Sequence, residues 1–374
     1  MKHKIAFVGN SALTMMNFRL GVMSALVKEG FDVIMISPQD CELTPLEGTG
    51  IRFIPIEVDC KGKNPLRDIR LIAQLKRIYQ CEQIHFAFHY TIKPIIYGSM
   101  AASTLGIQHI NVVTGLGYTF IRRNWLFHLS CMLHRIALKN ARSVWFLNQE
   151  DSDCFVRWNL VKPDKIHIIH GEGVNTAYFH AARLPEGPFV FLHCGRMLRS
   201  KGVELFVQAA AALKKDYPEV RWQLLGPLDA LNPDAITPAE MEQWVRSGSV
   251  EYLGVTKDVR PFLEQCTCVV LPSYYMEGVP RSLMEAASME RVLIATDSVG
   301  CREVVVDGEN GLLCEKHSLE SLTTAMRAVM AMPDEQRIRM GEKGRERMIH
   351  VFDEQLIITE YRNALTHYLH EPLC

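Results

Sequence analysis

No stretch of this chain carries the roughly 18 uninterrupted apolar residues that a membrane-spanning helix needs. The opening run, Met1-Lys-His-Lys-Ile-Ala-Phe-Val-Gly9, is too short in apolar length for a signal peptide and reads as the start of a strand. No G-x-G-x-x-G follows that strand, which counts against a nicotinamide enzyme. The 11 cysteines are odd in number and scattered. Cys266 and Cys268 stand too close to form the C-x-x-C pair of a zinc or redox site. Reduced, mostly buried thiols in a cytosolic protein are the reading this favours. No metal-ligand cluster stands out either. The last absence is one of charge: no Asp or Glu lies between Glu82 and Glu150, a stretch holding Lys93, Arg122, Arg123, Arg135, Lys139 and Arg142.

That gap is part of a wider asymmetry. Net charge is −1 overall, yet residues 1–185 hold 21 Lys/Arg against 14 Asp/Glu, which leaves 20 against 28 for residues 186–374. A sustained positive field suits an acidic partner such as a diphosphate, an anionic membrane surface or nucleic acid. Known nucleic-acid modules are missing from the basic stretch, so nucleic acid is the weakest of these.

At 374 residues the chain is long enough for two or three domains, and at 48% hydrophobic each can bury a full core. Apolar runs at 5–8, 31–37, 51–56 and 84–88 read as strands, with helical patterns between them. Strand, helix and strand within about 35 residues make a βαβ unit and imply a parallel sheet. Residues 65–79 and 122–141 read as amphipathic helices. In the second, Trp125, Leu126, Leu129, Met132, Leu133 and Ile136 make an apolar stripe. Such a stripe belongs more often to a core than to a membrane surface, but acid-free basic surroundings keep the membrane reading open. Thr114-Gly-Leu-Gly117 is either a close ligand approach or a tight turn. Residues 181–188 form a linker, after which the strand and helix count restarts.

The stretch from Leu271 to Ala287 organises the second half. A buried strand stops at Pro272, a loop carries Glu277, and a helix opening near Pro280 carries Glu285. Both carboxylates can approach a ligand at the carboxyl end of the strand, where helix-start N–H groups also favour an anion. The pattern P-S-x-x-x-E-G-x-P-x-x-x-x-E-A resembles the retaining family-4 glycosyltransferases. Two further stretches agree, Gly195-Arg196-Met-Leu-Arg-Ser-Lys201-Gly202 and Ala295-Thr-Asp297-Ser-Val-Gly300-Cys-Arg302-Glu303. Three ordered motifs over more than a hundred residues carry more weight than one glycine triplet. The chain departs from the pattern at Met289-Glu290-Arg291-Val292, where the family commonly has a small residue, Gly, any residue and Pro.

The resemblance implies an α/β fold of two doubly wound Rossmann-like domains facing across a cleft, the GT-B architecture. The expected divisions are an acceptor-side domain at 1–183, a nucleotide-sugar domain at 184–352, and a helix at 353–374 crossing back to the first domain. It also implies roles. Arg196 and Lys201 match the donor-diphosphate pair; alone, either would read as an exposed loop charge. Glu285 is implied to hold ribose hydroxyls, and Glu277 to face the sugar or diphosphate, although a helix-dipole partner is the plainer reading of its position. Backbone at Gly278 and Val279 would take phosphate oxygens, and Gly254 would grip the base. His89 is a candidate to touch the donor sugar, against the commoner case of a packed histidine. Lys93 is a candidate cation for an acceptor diphosphate.

Asn17-Phe-Arg19, Tyr90-Thr-Ile-Lys-Pro94, Thr114-Gly-Leu-Gly117-Tyr118, Asn232-Pro-Asp-Ala-Ile236 and Gly300-Cys-Arg302 resemble a narrower subgroup. Its members extend polyprenyl-diphosphate-linked sugars in bacterial surface-glycan assembly, such as O-antigen and capsule, and several are α-1,3-N-acetylgalactosaminyltransferases. The expectation is therefore a UDP-sugar donor, a lipid-linked acceptor, no tightly bound cofactor and no essential metal. The enzyme would lie peripherally on the cytoplasmic face of the inner membrane. A UDP-HexNAc 2-epimerase and a non-catalytic nucleotide-sugar-binding protein are the competing readings. An epimer formed without acceptor would favour the first, and binding without turnover the second.

Overall fold

A computed structural model describes residues 2–59, 64–116, 120, 125–229, 232–274 and 278–370. By its contacts the chain divides into two units, residues 1–173 with 354–374, and residues 174–353. The junction falls before the expected 183/184 boundary. The reason is local: the Val174 N–H donates to the Phe352 carbonyl at 2.8 Å, and Phe179 packs among Leu283, Met284 and Phe352 of the second unit.

In the first unit, apolar strand runs close a seven-stranded sheet. The strands are β1 (Lys4–Val8), β2 (Asp32–Ser37), β3 (Arg52–Pro55), β4 (Phe86–Tyr90), β5 (Gln108–Val113), β6 (Ser143–Phe146) and β7 (Ile166–Ile168). They lie in the order 3-2-1-4-5-6-7, with every pairing parallel. β1 and β4 are buried along most of their length, as strands covered on both faces must be. Caps set the helix starts. Ser11 accepts from Thr14 at the head of α1 (Ala12–Lys28), and Asn64 accepts from Leu66 ahead of Pro65 in α2 (Pro65–Glu82). One π-helical turn at Pro94–Gly98 leads into α3 (Ser99–Thr104). Next come α4 (Trp125–Leu138) and α5 (Gln149–Arg157), the latter capped by Asn148.

The stripe expected to favour the core divides: Leu126 and Leu133 are half-buried, Leu133 against the core, and the other four residues face outward. Trp125, Leu129, Met132 and Ile136 are 67%, 40%, 48% and 55% exposed. The face of α4 turned to the sheet is instead Phe127, Ser130, Cys131, His134, Ala137 and Leu138. In α2 likewise, Leu71 and Leu75 are buried while Leu66 and Ile69 stand exposed.

The second unit repeats the plan with six parallel strands: β8 (Val190–Cys194), β9 (Arg221–Leu225), β10 (Glu251–Tyr252), β11 (Cys268–Leu271), β12 (Val292–Thr296) and β13 (Gly311–Cys314). Their order is 10-9-8-11-12-13. One face of this sheet is filled by Phe191, Phe206, Trp222, Ile294 and Met326, the other by Leu192, Val269, Leu283, Leu293 and Phe352. The helices are α6 (Val203–Leu213), α7 (Pro238–Arg246), α8 (Arg260–Gln265), α9 (Arg281–Ser288), α10 (Val299–Val304), α11 (Leu319–Ala331) and α12 (Asp334–Arg347). The final helix, α13 (Glu354–His370), belongs to the first unit, where Tyr361 packs on Phe7, Phe88 and Trp145. In each sheet the chain reverses its winding between two central strands, β1 and β4 in one and β8 and β11 in the other. The carboxyl side of such a point is where open α/β sheets take ligands.

Candidate active site

The switch point of the second sheet collects the motif residues. β8 ends at Cys194, and a loop from Gly195 to Gly202 carries Arg196 and Lys201 into α6. This loop is held from two sides. On one, Tyr274 N–H and the Ser273 hydroxyl both donate to the Ser200 carbonyl, at 3.0 and 3.2 Å. Gly202 has φ +77°, and a Cβ there would lie 2.1 Å from the Pro272 carbonyl oxygen, so only glycine lets the loops after β8 and β11 approach this closely. On the other side stands the Asn232–Ile236 segment. Arg199 N–H donates to the Asp234 carbonyl at 2.9 Å, Ser200 N–H to Asp234 Oδ2 at 3.0 Å, and Ile236 N–H to the Met197 carbonyl at 2.9 Å. The Ser200 hydroxyl bonds the same carboxylate.

Within the loop the cations differ. Arg199 is committed to Glu204 and, at 2.6 Å, to Glu240. Arg196 is exposed and Lys201 half-buried. Lys201 lies near His193, a fully buried imidazole that donates from Nδ1 to the Val270 carbonyl at 3.1 Å. Burial pushes that imidazole down to about 4, the Val270 bond opposes the shift, and the Lys201 charge adds to it.

Glu285 reaches the same place from α9. Its side chain is 16% exposed and accepts from Arg281 Nε at 2.8 Å. Burial raises its carboxyl above the ordinary range, with Arg281 opposing. Burial pushes the Cys194 thiol at the end of β8 up to about 12, and the Glu285 charge adds to that shift. Gly278 and Val279 are half-buried in the approach to α9, whose N-cap is Pro280. Glu277 lies outside the described residues.

Gly254 closes the row. The Gly195 N–H donates to the Leu225 carbonyl at 3.0 Å, and Gly226 N–H to the Gly254 carbonyl at 2.8 Å. A Cβ on Gly226 would meet the Gly195 oxygen at 1.8 Å. Three positive-φ glycines thus line the carboxyl ends of β8, β9 and β10, leaving backbone bare of side chains. Arg196 and Lys201 thus follow β8, Glu285 lies on the helix that follows β11, the strand beside β8, and Gly254 follows β10.

Residues 188–332 match the model of glycosyl transferases group 1, and residues 4–148 match that of glycosyl transferase 4-like domains. The chain belongs to these glycosyltransferases. It is 25% identical, over 96% of its length and 97% of the relative's, to N,N'-diacetylbacillosaminyl-diphospho-undecaprenol alpha-1,3-N-acetylgalactosaminyltransferase of Campylobacter jejuni. It is 23% identical, over 80% of each chain, to UDP-Gal:alpha-D-GlcNAc-diphosphoundecaprenol alpha-1,3-galactosyltransferase of Escherichia coli. Among solved structures, Anabaena HepE in complex with UDP shares the fold, with TM-score 0.79, 16% identity, and coverage of 98% of this chain and 100% of that one. The fold is GT-B, and the protein is a nucleotide-sugar-dependent glycosyltransferase.

The first unit of the glycosyltransferase corrects one expectation and changes another. His89 is 0% exposed. Its Nε2 lies 2.9 Å from the Tyr79 hydroxyl and its Nδ1 3.2 Å from Asn111 Oδ1, while Gly98 packs on its ring. Burial drives its pKa well below the ordinary range, with His109 adding to the effect. This is the packed-histidine arrangement, and the ring offers no face to a sugar. Lys93 is not an isolated cation. It pairs with Asp68 at 2.7 Å, and Tyr97 donates to the same carboxylate at 2.7 Å. Arg19, from the Asn17-Phe-Arg19 motif, is buried against Glu172 and lies 4.0 Å over the Tyr90 ring. Sequence reading missed Arg281 and Asp234 as partners of the site. Arg281 was legible in part, since i and i+4 residues share a helix face. Asp234 was not, because its contact is made across 34 residues of chain.

Proposed function

We propose that this glycosyltransferase moves a sugar, with retention, from a UDP-sugar to a polyprenyl-diphosphate-linked saccharide in surface-glycan assembly. N-acetylgalactosamine is the donor sugar favoured by the likeness to the Campylobacter enzyme, and galactose or another hexose or HexNAc is the variation expected among such relatives. The observation that supports the reading is that the loop carrying Arg196 and Lys201 is hydrogen-bonded to the loop after β11, which leads into the helix carrying Glu285. Breaking the anomeric bond to a diphosphate puts negative charge on the leaving phosphate. Arg196 and Lys201 are the fixed cations for that charge, joined by N–H groups at Gly278 and Val279. Glu285 accepts from the ribose hydroxyls, a role open to a carboxylate with two acceptor oxygens. Glu277, in the intervening loop, is assigned to the sugar and diphosphate end.

Attack then takes place on the face the phosphate leaves, with a phosphate oxygen accepting the proton of the incoming hydroxyl. The acceptor oxygen bonds the anomeric carbon, the glycosyl phosphate bond breaks, and UDP carries away the electron pair. No protein nucleophile enters, so the spacing rules of paired glycosidase carboxylates do not apply. Because side-chain cations meet the phosphates, we assign no essential metal. Peripheral association with the cytoplasmic membrane face follows from a lipid-linked acceptor and the basic first half.

The test is a mass-spectrometric screen of UDP- and GDP-sugars against GlcNAc-diphosphate-lipid analogues, with and without EDTA. Transfer from a UDP-sugar that survives EDTA and keeps the anomeric configuration is expected. The Glu285→Ala variant should melt like the parent and lose about a hundredfold or more in turnover. Parent-level turnover in that variant would remove Glu285 from the site. An epimer produced without acceptor would replace transfer by epimerisation.

A further inference from the structure

We infer that the outer face of α4 seats the first unit on an anionic lipid bilayer, with Trp125, Leu129, Met132 and Ile136 entering the headgroup boundary. The inference rests on the lipid-linked acceptor proposed above and adds the surface that brings the enzyme to it.

Four large apolar side chains stand at spacings of four, three and four, so they form one row along the outside of the helix. All four are 40% exposed or more with the whole chain present. The inner face of α4 is mostly apolar, with Ser130 and His134 bonded to each other, and is spent on the core. A row of four large apolar side chains is unusual on the water-facing side of a helix, because it gains nothing from folding. Burial of that row needs a second apolar phase.

Charge selects the phase. Arg135 and Lys139 flank the row and are exposed. Arg135 leans on the Trp158 and Asn159 carbonyls, which leaves its charge intact. No carboxylate occurs anywhere from residue 83 to 149. A protein partner of ordinary composition would not call for so long an acid-free stretch, whereas an anionic leaflet repels every carboxylate brought near it. Trp125 at the head of the row has the amphipathic ring that settles at the headgroup level. No helix among the described residues is long and apolar enough to cross a membrane, so such a face would lie in the interface plane.

The experiment is co-sedimentation of the full chain with vesicles of phosphatidylglycerol and phosphatidylethanolamine, and with phosphatidylcholine alone. Trp125 is followed by quenching from brominated lipid. The parent should bind the anionic vesicles, lose binding in high salt, and bind phosphatidylcholine weakly. Leu129→Gln with Ile136→Gln should melt like the parent and bind about tenfold or more weakly, two buried apolar contacts having been removed. It should keep turnover on a short-chain, water-soluble diphosphate acceptor and lose it on the same acceptor embedded in vesicles. Unchanged vesicle binding by this variant would overturn the proposal. So would a parent dimer in light scattering that the substitutions convert to monomer, since a second copy would then cover the row. Transfer to the soluble acceptor without any vesicle binding would remove the membrane face and leave the enzymatic reading intact. Vesicle binding that depends on the row, with no transfer to any acceptor, would do the reverse.

Discussion

Arg291 is 1% exposed and gives its donors to carbonyls. It reaches Met289 at 3.0 Å, Cys266 at 3.1 Å, Arg183 at 2.9 Å, and also Ala182. Burial lowers its pKa, but a guanidinium stays charged in protein interiors. Arg291→Ala would leave these acceptors unpaired around a large void, so a loss of about 3 kcal/mol or more is expected. Urea unfolding measures it, and a loss under about 1 kcal/mol would show that water replaces the side chain. Asp151 makes the opposite kind of case. Burial raises its carboxyl to about 6, against the Asn148 bond that lowers it. The folded state therefore keeps the proton longer than the unfolded one, so stability falls as pH rises from about 4 to about 6, and the penalty persists above that. Asp151→Asn should raise stability at pH 7 by on the order of 2 kcal/mol and make no difference below about pH 4. A gain that does not change with pH would refute the burial account. At this scale the sequence was least legible. His89 could be packed or functional until Tyr79, Ser99 and Asn111, from three other elements, were seen around it. Arg291 stood where the family resemblance tolerates any residue, and nothing in its neighbours announces burial.

Elements were read well where periodicity was strong and less well where a turn or a long-range contact decided. Most strands follow from their apolar runs, whereas β13, four residues opening on Gly311, was not read as a strand. α9 stops at Ser288, and two residues on Glu290 adopts φ +63°, which a continuing helix does not allow. That position is where the resembling family commonly has glycine, so the conformation persists here without the residue that adopts it most easily. The close approach of Gly341, where a Cβ would lie 2.2 Å from the Glu290 oxygen, packs the turn in place. The clamp on the cation loop is the element-scale feature with a kinetic consequence. Asp234 receives the Ser200 N–H and hydroxyl, and its own carbonyl receives the Arg199 N–H. Asp234→Ala frees the loop that positions Arg196 and Lys201. The KM for the UDP-sugar should rise about tenfold, the worth of one charge-assisted bond, with the acceptor KM unchanged. Asp234→Asn keeps an acceptor oxygen for Ser200 and should recover most of the loss. Equal changes in both KM values would mean a general loss of structure instead.

At the scale of the whole molecule, two doubly wound sheets were legible because each half repeats the same alternation of strand and helix. The place where the chain passes between units was not, because the 181–188 linker has more turn residues than the true junction. What fixes that junction is a pairing of distant segments: Val174 bridges Asp353, and Thr176 bonds the Asp353 carboxylate. The two ends of the second unit therefore meet, and its core is built from its own residues on both sheet faces. A unit whose termini adjoin and whose core is complete should survive excision. Residues 174–353, expressed alone, should melt cooperatively. They also retain Arg196, Lys201, Glu285 and Gly254. Calorimetric titration should give a Kd for UDP within about an order of magnitude of the full chain's, and transfer should be absent because the first unit is missing. An excised unit that folds but does not take up UDP would place part of the nucleotide grip in residues 1–173. That outcome would undo the assignment of the donor to the end of β8 while leaving the fold untouched.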